Sequence, residues 1–172
     1  LTVTFPDADM KILPYNRVVE DLNGHSPEDL LDKISEKFDI QKAPTFSGVK
    51  ESKTFGMYLA GEWHLLTAKA ELLSDDAVKS LDVSILQDNL LFPLLNIDDP
   101  RTNKRINFIG GIKGDEELKR LVDSGDYAIA FSLMPTTMQQ VMDVADAGEV
   151  MPPKSTWFEP KLLSGLATHI LD

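Results

Sequence analysis

The sequence predicts an α/β domain in which a mixed sheet carries helices packed on it, with an α+β arrangement as the alternative. The last third of the chain alternates strand-like with helix-like segments, and residues 54–67 have the pattern of a β-hairpin. The composition, with 42% hydrophobic and 26% charged residues, is that of an ordinary folded domain. For 172 residues we expect a single domain over 1–172, or two small units over 1–73 and 74–172.

The first third of the chain is predicted to form two strands and a helix. Residues 1–5 and 11–19 are strand-like, and Pro14 in the second run favours an edge strand or a bulge, because proline donates no ladder hydrogen bond. The pair at positions 26 and 27, a serine followed by Pro27, is typical of a helix start. Apolar residues at helical spacing extend this helix to Phe38.

A β-hairpin is predicted after a loop at residues 43–53. Strand patterns at 54–59 and 62–67 flank a two-residue turn of the kind that favours tight hairpins. In the second of these strands His64 alternates with its apolar neighbours, so we expect it on the wetter side of the sheet.

The rest of the chain is predicted to alternate helices and strands. A helix begins at Asp82 and is ended or kinked by Pro93. Asp115 caps a further helix, and Gly125 ends it in the left-handed conformation. The remaining predicted elements are strands at 105–109, 127–134, 155–158 and 166–170, and a helix at 136–147 that Gly148 closes.

The charge and composition exclude several classes of function. A net charge of −11 and a pI near 4.6 argue against nucleic acid as a partner of this segment, because a duplex is bound through lysine and arginine. The absence of cysteine excludes disulfides, thiolate metal sites and cysteine nucleophiles. No run of about 18 apolar residues is present, which argues against a membrane span. We therefore expect a soluble, acidic, cytoplasmic protein.

Five phrases carry a family resemblance: ILPYNRVV at 12–19, LDVSIL at 81–86, IDDP at 97–100, NFIGG at 107–111 and MPPKSTWFEPK at 151–161. Together they resemble the bacterial and archaeal family called domain of unknown function 1015, over essentially the whole chain. Members of that family are longer, with an N-terminal half that carries an Asp-Gly-His-His-Arg phrase. Because that phrase is absent here, the resemblance implies that this chain is the C-terminal portion of a longer, uncharacterised protein whose own N-terminal half is a partner.

The resemblance also implies two classes of function. The Asp-Gly-His-His-Arg phrase of the family is similar to a motif of the chromosome-partitioning/sulfiredoxin superfamily, some of whose members phosphorylate free serine. The first expectation is therefore a nucleotide-linked, small-molecule enzyme of the phosphotransferase type, with no cofactor assigned. The alternative is a non-catalytic binding, assembly or regulatory module of a partitioning-type protein, which would form homodimers. Whether the protein is an enzyme stays open at this point.

Asn16 and Arg17 form the first candidate anion site. A planar guanidinium can hold a phosphate or carboxylate by paired hydrogen bonds, and the amide of Asn16 would orient the ligand. The structural alternative is that Arg17 pairs with one of the 28 acidic residues.

Lys154, Ser155 and Thr156 form the second candidate, after two prolines that stiffen the approach. An ammonium group beside two hydroxyls could hold an anion, although the glycine pattern of a phosphate-binding P-loop is missing. The alternative is a solvated lysine on a loop in which the hydroxyls close a turn. If the two candidates belong to one site, they converge on a common cleft.

Other motifs give weaker indications. The glycine-rich loop at 110–114 joins a strand to a helix, but the acids at 115–117 would repel a phosphate there, so turning and capping explain it better. His25, His64 and His169 have no second ligand at metal-binding spacing, and no metal site is expected. No serine lies in a Gly-x-Ser-x-Gly elbow, so a hydrolase triad has no support.

Overall fold

The computed structural model describes residues 10–159, which form four α-helices and eight β-strands. The strands are β1 Lys11–Leu13, β2 Tyr15–Val19, β3 Phe38–Lys42, β4 Thr54–Leu59, β5 Glu62–Ala68, β6 Ile106–Gly110, β7 Ile129–Ser132 and β8 Trp157–Glu159. The helices are α1 Pro27–Ser35, α2 Asp82–Leu86, α3 Gly114–Asp123 and α4 Met138–Asp146. None of these helices is long and apolar enough to cross a membrane.

Six strands form one sheet in the order β3-β5-β4-β7-β2-β6, and β1 with β8 forms a separate pair. On one face of the sheet, α3 packs through Leu118 and Leu121. The other face carries the larger core, to which α1, α2 and α4 contribute. The predicted class, a sheet with helices packed on it, is thereby confirmed.

Every ladder within residues 10–159 is antiparallel, which is the point at which the arrangement departs from the expected mixture. Strands β6 and β7, joined by α3, do run in the same direction, as a strand–helix–strand unit requires. Strand β2, from the start of the chain, lies between them and is antiparallel to both. The local pattern shows which strands a helix joins, but not which distant strand is inserted between them.

Pro14 separates two sheets rather than marking an edge. Strand β1 pairs with β8, whereas β2 lies in the interior of the six-stranded sheet. The expectation of an edge strand or bulge was therefore wrong for β2. Pro14 lies between the two strands, where its missing N–H costs no ladder bond, and its carbonyl accepts a hydrogen bond from Gly111 N at 2.8 Å. The strands expected at 1–5 and 166–170 lie outside the described residues.

Helix α1 starts as predicted and ends earlier. The Ser26 side chain accepts a hydrogen bond from the Asp29 backbone N–H at 3.1 Å, and Pro27 is the first helical residue. A serine cap of this kind stabilises a helix by about 1 kcal/mol. Phe38 does not continue the helix but begins β3, where it is buried against the same core.

The predicted hairpin is confirmed, with β4 and β5 joined by Ala60 and Gly61. Both turn residues have positive φ values, 50° and 84°, as a two-residue turn that matches the twist of its strands requires. The expectation for His64 was wrong, because its side chain is 3% exposed and lies on the same face as the core residue Leu66. Both faces of this sheet are covered, so alternation does not reveal a wet side.

Helix α2 continues into a π-helical turn over Gln87–Leu91, which ends just before Pro93. The wider turn is seen in the hydrogen bond from Phe92 N to Gln87 O at 2.9 Å. The predicted helix is therefore present, and it widens before the proline that was expected to end or kink it. Turns of this type are short and often lie at functional sites.

The last two helices end at the predicted glycines, Gly125 and Gly148, both of which have positive φ. Helix α4 begins with a reciprocal cap between Thr137 and Gln140. Asp115 does not cap α3, as had been predicted. Its carboxylate instead accepts a hydrogen bond from the Ser132 hydroxyl at 2.6 Å and so ties the helix to β7.

Candidate functional site

Asn16 and Arg17 are consecutive in β2 and therefore point to opposite faces of the sheet. Asn16 lies on the face covered by α3, where it is 2% exposed. Its carboxamide oxygen accepts a hydrogen bond from the backbone N–H of Leu133 at 3.1 Å. Asn16 thus holds the end of β7 against β2.

Arg17 lies on the other face and is buried, with an exposed fraction of 3%. Its guanidinium donates to the carbonyl of Tyr15 at 2.6 Å and, at a longer 3.4 Å, to the carbonyl of Lys154. The guanidinium carbon lies 5.7 Å from the centroid of the Phe108 ring. Among the ion pairs of residues 10–159, none includes Arg17.

The electrostatics of Arg17 favour an anionic ligand. Burial lowers the pKa of Arg17 to about 10, so the side chain is still cationic at neutral pH. A buried charge that two carbonyl dipoles only partly compensate is costly to the folded protein. A carboxylate or phosphate that reaches the guanidinium would offset this cost through charge-assisted hydrogen bonds. Arg17 can therefore act as the anion-binding group of a site.

A cleft of about 270 Å³ opens on Arg17. One wall comes from α2 and the π-helical turn, through Ser84, Gln87 and Asp88. The rest of the lining is apolar and comes from Val83 of α2 and from separate segments that supply Val78, Pro100, Val150, Pro152 and Pro153.

Four of the five phrases that carry the family resemblance line this cleft, and the fifth contacts Arg17. Residues 12–19 supply Arg17, residues 81–86 supply two lining side chains, and residues 97–100 supply Pro100. Residues 151–161 supply two prolines of the rim. Residues 107–111 supply Phe108, whose ring contacts the guanidinium. Segments that are far apart in sequence thus build one site.

The closing segment is positioned against the same strands. Lys154 has a positive φ of 56°, and its ammonium nitrogen lies 5.6 Å from the ring centroid of Tyr15 and 5.9 Å from that of Phe108. The Trp157 ring is seated on Gly110, where an added Cβ would come within 2.0 Å of it. The conformation of this segment therefore depends on both β2 and β6.

Ser155 and Thr156 differ in their surroundings. The Ser155 hydroxyl donates to the Pro152 carbonyl at 2.7 Å, and the Ser155 carbonyl accepts from the Thr136 hydroxyl at 2.9 Å. Ser155 thus closes the turn. The half-buried Thr156 side chain makes no hydrogen bond with the part of the chain that the structure describes.

The structure brings Arg17 and Lys154 together from opposite ends of the chain, and it places Asn16 on the other face. Ser84, Gln87 and Asp88, which also line the cleft, were not singled out from the sequence. Their spacing of three and four residues places them on one helical face, which the sequence alone could have shown. The meeting of that face with Arg17 is a tertiary contact.

The other candidates do not add a site. The loop at 110–114 is a short 3-10 turn that leads into α3, and Gly114 has a φ of 71°, as the turning role requires. Within residues 10–159, no group of three or more histidine or acidic side chains is arranged to hold a metal ion.

Comparison with known proteins supports the family and the fold. A family described as a protein of unknown function (DUF1015) matches residues 1–84, which include Arg17 and Ser84. The predicted resemblance to this family is supported over residues 1–84, just under half of the chain, and stays a prediction for the rest. No curated protein matches the chain. The expected similarity to the chromosome-partitioning/sulfiredoxin superfamily stays a prediction.

Solved structures share the fold at low sequence identity. A free serine kinase in complex with AMP superimposes with a TM-score of 0.51 and 16% identity, over 88% of this chain and 55% of that one. A conserved hypothetical protein from Pyrococcus furiosus gives a TM-score of 0.51 and 16% identity, over 88% and 57%. At such identities the similarity shows the fold alone. The chain spans just over half the length of these proteins.

Proposed function

We propose that this chain is the anion-binding part of a small-molecule, nucleotide-linked phosphotransferase, with Arg17 as its principal ligand. The observation that carries the proposal is the buried guanidinium, which has no carboxylate partner among the described residues and opens on a cleft. The fold similarity to a kinase solved with AMP supports the reaction class. Because the chain spans about half of that kinase, further catalytic groups are expected outside it.

In this proposal the five predicted residues have different roles. Arg17 holds the anionic group, and Lys154, whose carbonyl accepts from the guanidinium, supplies a second positive charge from the segment beside the cleft. Thr156 offers its hydroxyl to the ligand. Asn16 and Ser155 act through position, because the first holds β7 against β2 and the second closes the turn that carries Lys154.

Titration calorimetry with inorganic phosphate, AMP and ADP tests the proposal. We expect Arg17→Met to weaken binding of inorganic phosphate by at least about tenfold, and Lys154→Met by a smaller factor. Arg101→Met is the matched control, since Arg101 is exposed and already paired with Asp99. Circular dichroism checks that each variant is folded. Equal affinity in the Arg17 variant, or no binding of any of the three to the unchanged chain, would refute the proposal.

A non-catalytic assembly module is the second candidate, and one surface favours it. Met138 and Met142 are exposed and lie one helical turn apart on α4. Exposed apolar residues grouped in this way are typical of interaction surfaces. Sedimentation would then show a dimer that Met142→Lys dissociates. A monomer at all concentrations would count against this candidate.

A further inference from the structure

The cleft at Arg17 also contains a carboxylate that nothing so far explains. Asp88 lies on the π-helical turn, is exposed, and lines the cleft together with Arg17. In the part of the chain that the structure describes, the Asp88 side chain makes no hydrogen bond and belongs to none of the ion pairs. Two opposite charges therefore line one cleft without pairing with each other.

Two separated opposite charges restrict what the cleft can bind. A nucleoside diphosphate or triphosphate would be attracted by Arg17 but repelled by Asp88, and one cation does not neutralise several phosphates. A ligand that carries one charge of each sign would satisfy both groups. The apolar remainder of the lining lowers the local dielectric constant, which strengthens both contacts once the ligand excludes water.

We propose that the cleft binds a small zwitterion, with its anionic group on Arg17 and its ammonium group on Asp88. This inference rests on the proposed function and sharpens it, because it assigns the cleft to the acceptor molecule and places the nucleotide elsewhere. Ser84 lies one helical turn before Asp88, and its hydroxyl makes no hydrogen bond with the described residues, so it is available to the middle of the ligand. The volume of about 270 Å³ suits a ligand smaller than a nucleotide.

The experiment compares ligands that differ only in charge. The probes are glycine, β-alanine and 4-aminobutyrate, whose opposite charges are progressively farther apart, with butyrate and butylamine as the singly charged halves. Affinities of the full chain are measured by NMR titration. We expect the best zwitterion to bind at least about tenfold more tightly than butyrate or butylamine, because each half engages one wall only.

Asp88→Asn separates this inference from the proposed function. The variant keeps the shape of the exposed side chain, and we expect it to bind the best zwitterion about tenfold more weakly while binding butyrate as well as or better than before. Asp39→Asn is the matched control, since Asp39 is an exposed acid on strand β3, away from the cleft lining. It leaves all affinities unchanged.

Several results would overturn the inference. If Asp88→Asn binds the zwitterion as tightly as the unchanged chain, or if ADP or butyrate binds in an Arg17-dependent way more tightly than every zwitterion, the cleft does not recognise both charges. An effect of Asp88 that appears only when Mg²⁺ is added would assign the carboxylate to a metal–phosphate ligand instead. In these cases Arg17-dependent binding of phosphate or butyrate would leave the proposed function standing. Loss of all Arg17-dependent binding would remove both.

Discussion

The cationic side chains on the two faces of the six-stranded sheet have different kinds of partner. On the face covered by α3, the Lys119 ammonium donates to the Tyr58 hydroxyl at 2.9 Å and pairs with Asp123. The Tyr58 hydroxyl in turn donates to Asp123 at 2.8 Å. On the opposite face, Arg17 has carbonyl partners and an aromatic ring, and no carboxylate among the described residues. On the α3 face the cation is paired with a carboxylate. On the opposite face the guanidinium is available to an anionic ligand.

The pKa shifts of the two cations have opposite signs, which follows from their different partners. Hydrogen bonds to Asp123 and to Tyr58 raise the pKa of Lys119, so the folded protein favours its charged form. Burial lowers the pKa of Arg17, so the folded protein disfavours its charge. A cation that folding disfavours is a better indication of a ligand site than one that folding stabilises.

Two glycines that lie under aromatic rings give the largest expected effect and test the comparison between the two faces directly. The Trp157 ring packs on Gly110 on the Arg17 face. The Phe46 ring packs on Gly56 on the other face, and a Cβ added to Gly56 would come within 2.2 Å of that ring. We expect Gly110→Ala and Gly56→Ala each to lower the free energy of unfolding by about 2–3 kcal/mol, because overpacking displaces the ring. Denaturant titration measures this loss.

Only Gly110→Ala should also weaken phosphate binding, because the Trp157 ring that packs on Gly110 belongs to the segment that carries Lys154. Equal phosphate affinity in the Gly110 and Gly56 variants would show that the closing segment does not shape the cleft.

Tyr58→Phe is expected to lower the free energy of unfolding by about 1–2 kcal/mol, since Lys119 and Asp123 lose a buried common partner. Phosphate affinity should not change, because this network is on the other face. Tyr127→Phe is the control, as that hydroxyl meets only the exposed Asn107 side chain among the described residues, and it should cost less. Coupled loss of stability and of binding in Tyr58→Phe would mean that the faces are not independent.

Arg17→Met is expected to change the free energy of unfolding by less than about 1 kcal/mol when no anion is present. The variant loses two hydrogen bonds, but it also loses the cost of burying a charge. Added phosphate should then raise the melting temperature of the unchanged chain and not that of the variant. A melting temperature that rises equally in both would show that phosphate binds elsewhere.

The smallest expected effect is a pH dependence from His64, which is buried on the Arg17 face with its Nδ1 atom unpaired among the described residues. Burial lowers the pKa of His64 below its ordinary value of 6.5. Below that pH the unfolded chain binds the proton more readily, so stability should fall as the pH falls toward the folded pKa. The free energy of unfolding, measured at several pH values, should depend less on pH in His64→Gln than in the unchanged chain.

Local signals predicted the elements well. The cap at Ser26, the hairpin turn at Ala60 and Gly61, and the helix ends at Gly125 and Gly148 are all where the sequence placed them. Each depends on the conformation of a few consecutive residues, which the sequence states directly. Asp115 was assigned wrongly, because the choice between capping its own helix and bonding Ser132 depends on a strand 17 residues away.

The candidate site was predicted in part. Arg17 and Lys154 were singled out by residue type and family phrase, and the structure brings them together. The carboxylate of Asp88 was not, because an acid on a helix has no local mark that separates a cleft wall from a solvated surface. Asn16 was grouped with Arg17 because the two are adjacent, although adjacent residues of a strand face opposite ways.

The sequence by itself determined the boundaries of most elements and the presence of an arginine and a lysine in phrases at opposite ends of the chain. These are properties of residue type, spacing and short-range conformation. Only the tertiary structure decided that β2 lies between β6 and β7, that four of the five phrases line one cleft, and that Arg17 is buried without a carboxylate partner among the described residues. Those properties depend on the order of the strands, because burial and charge pairing are set by neighbours distant in sequence.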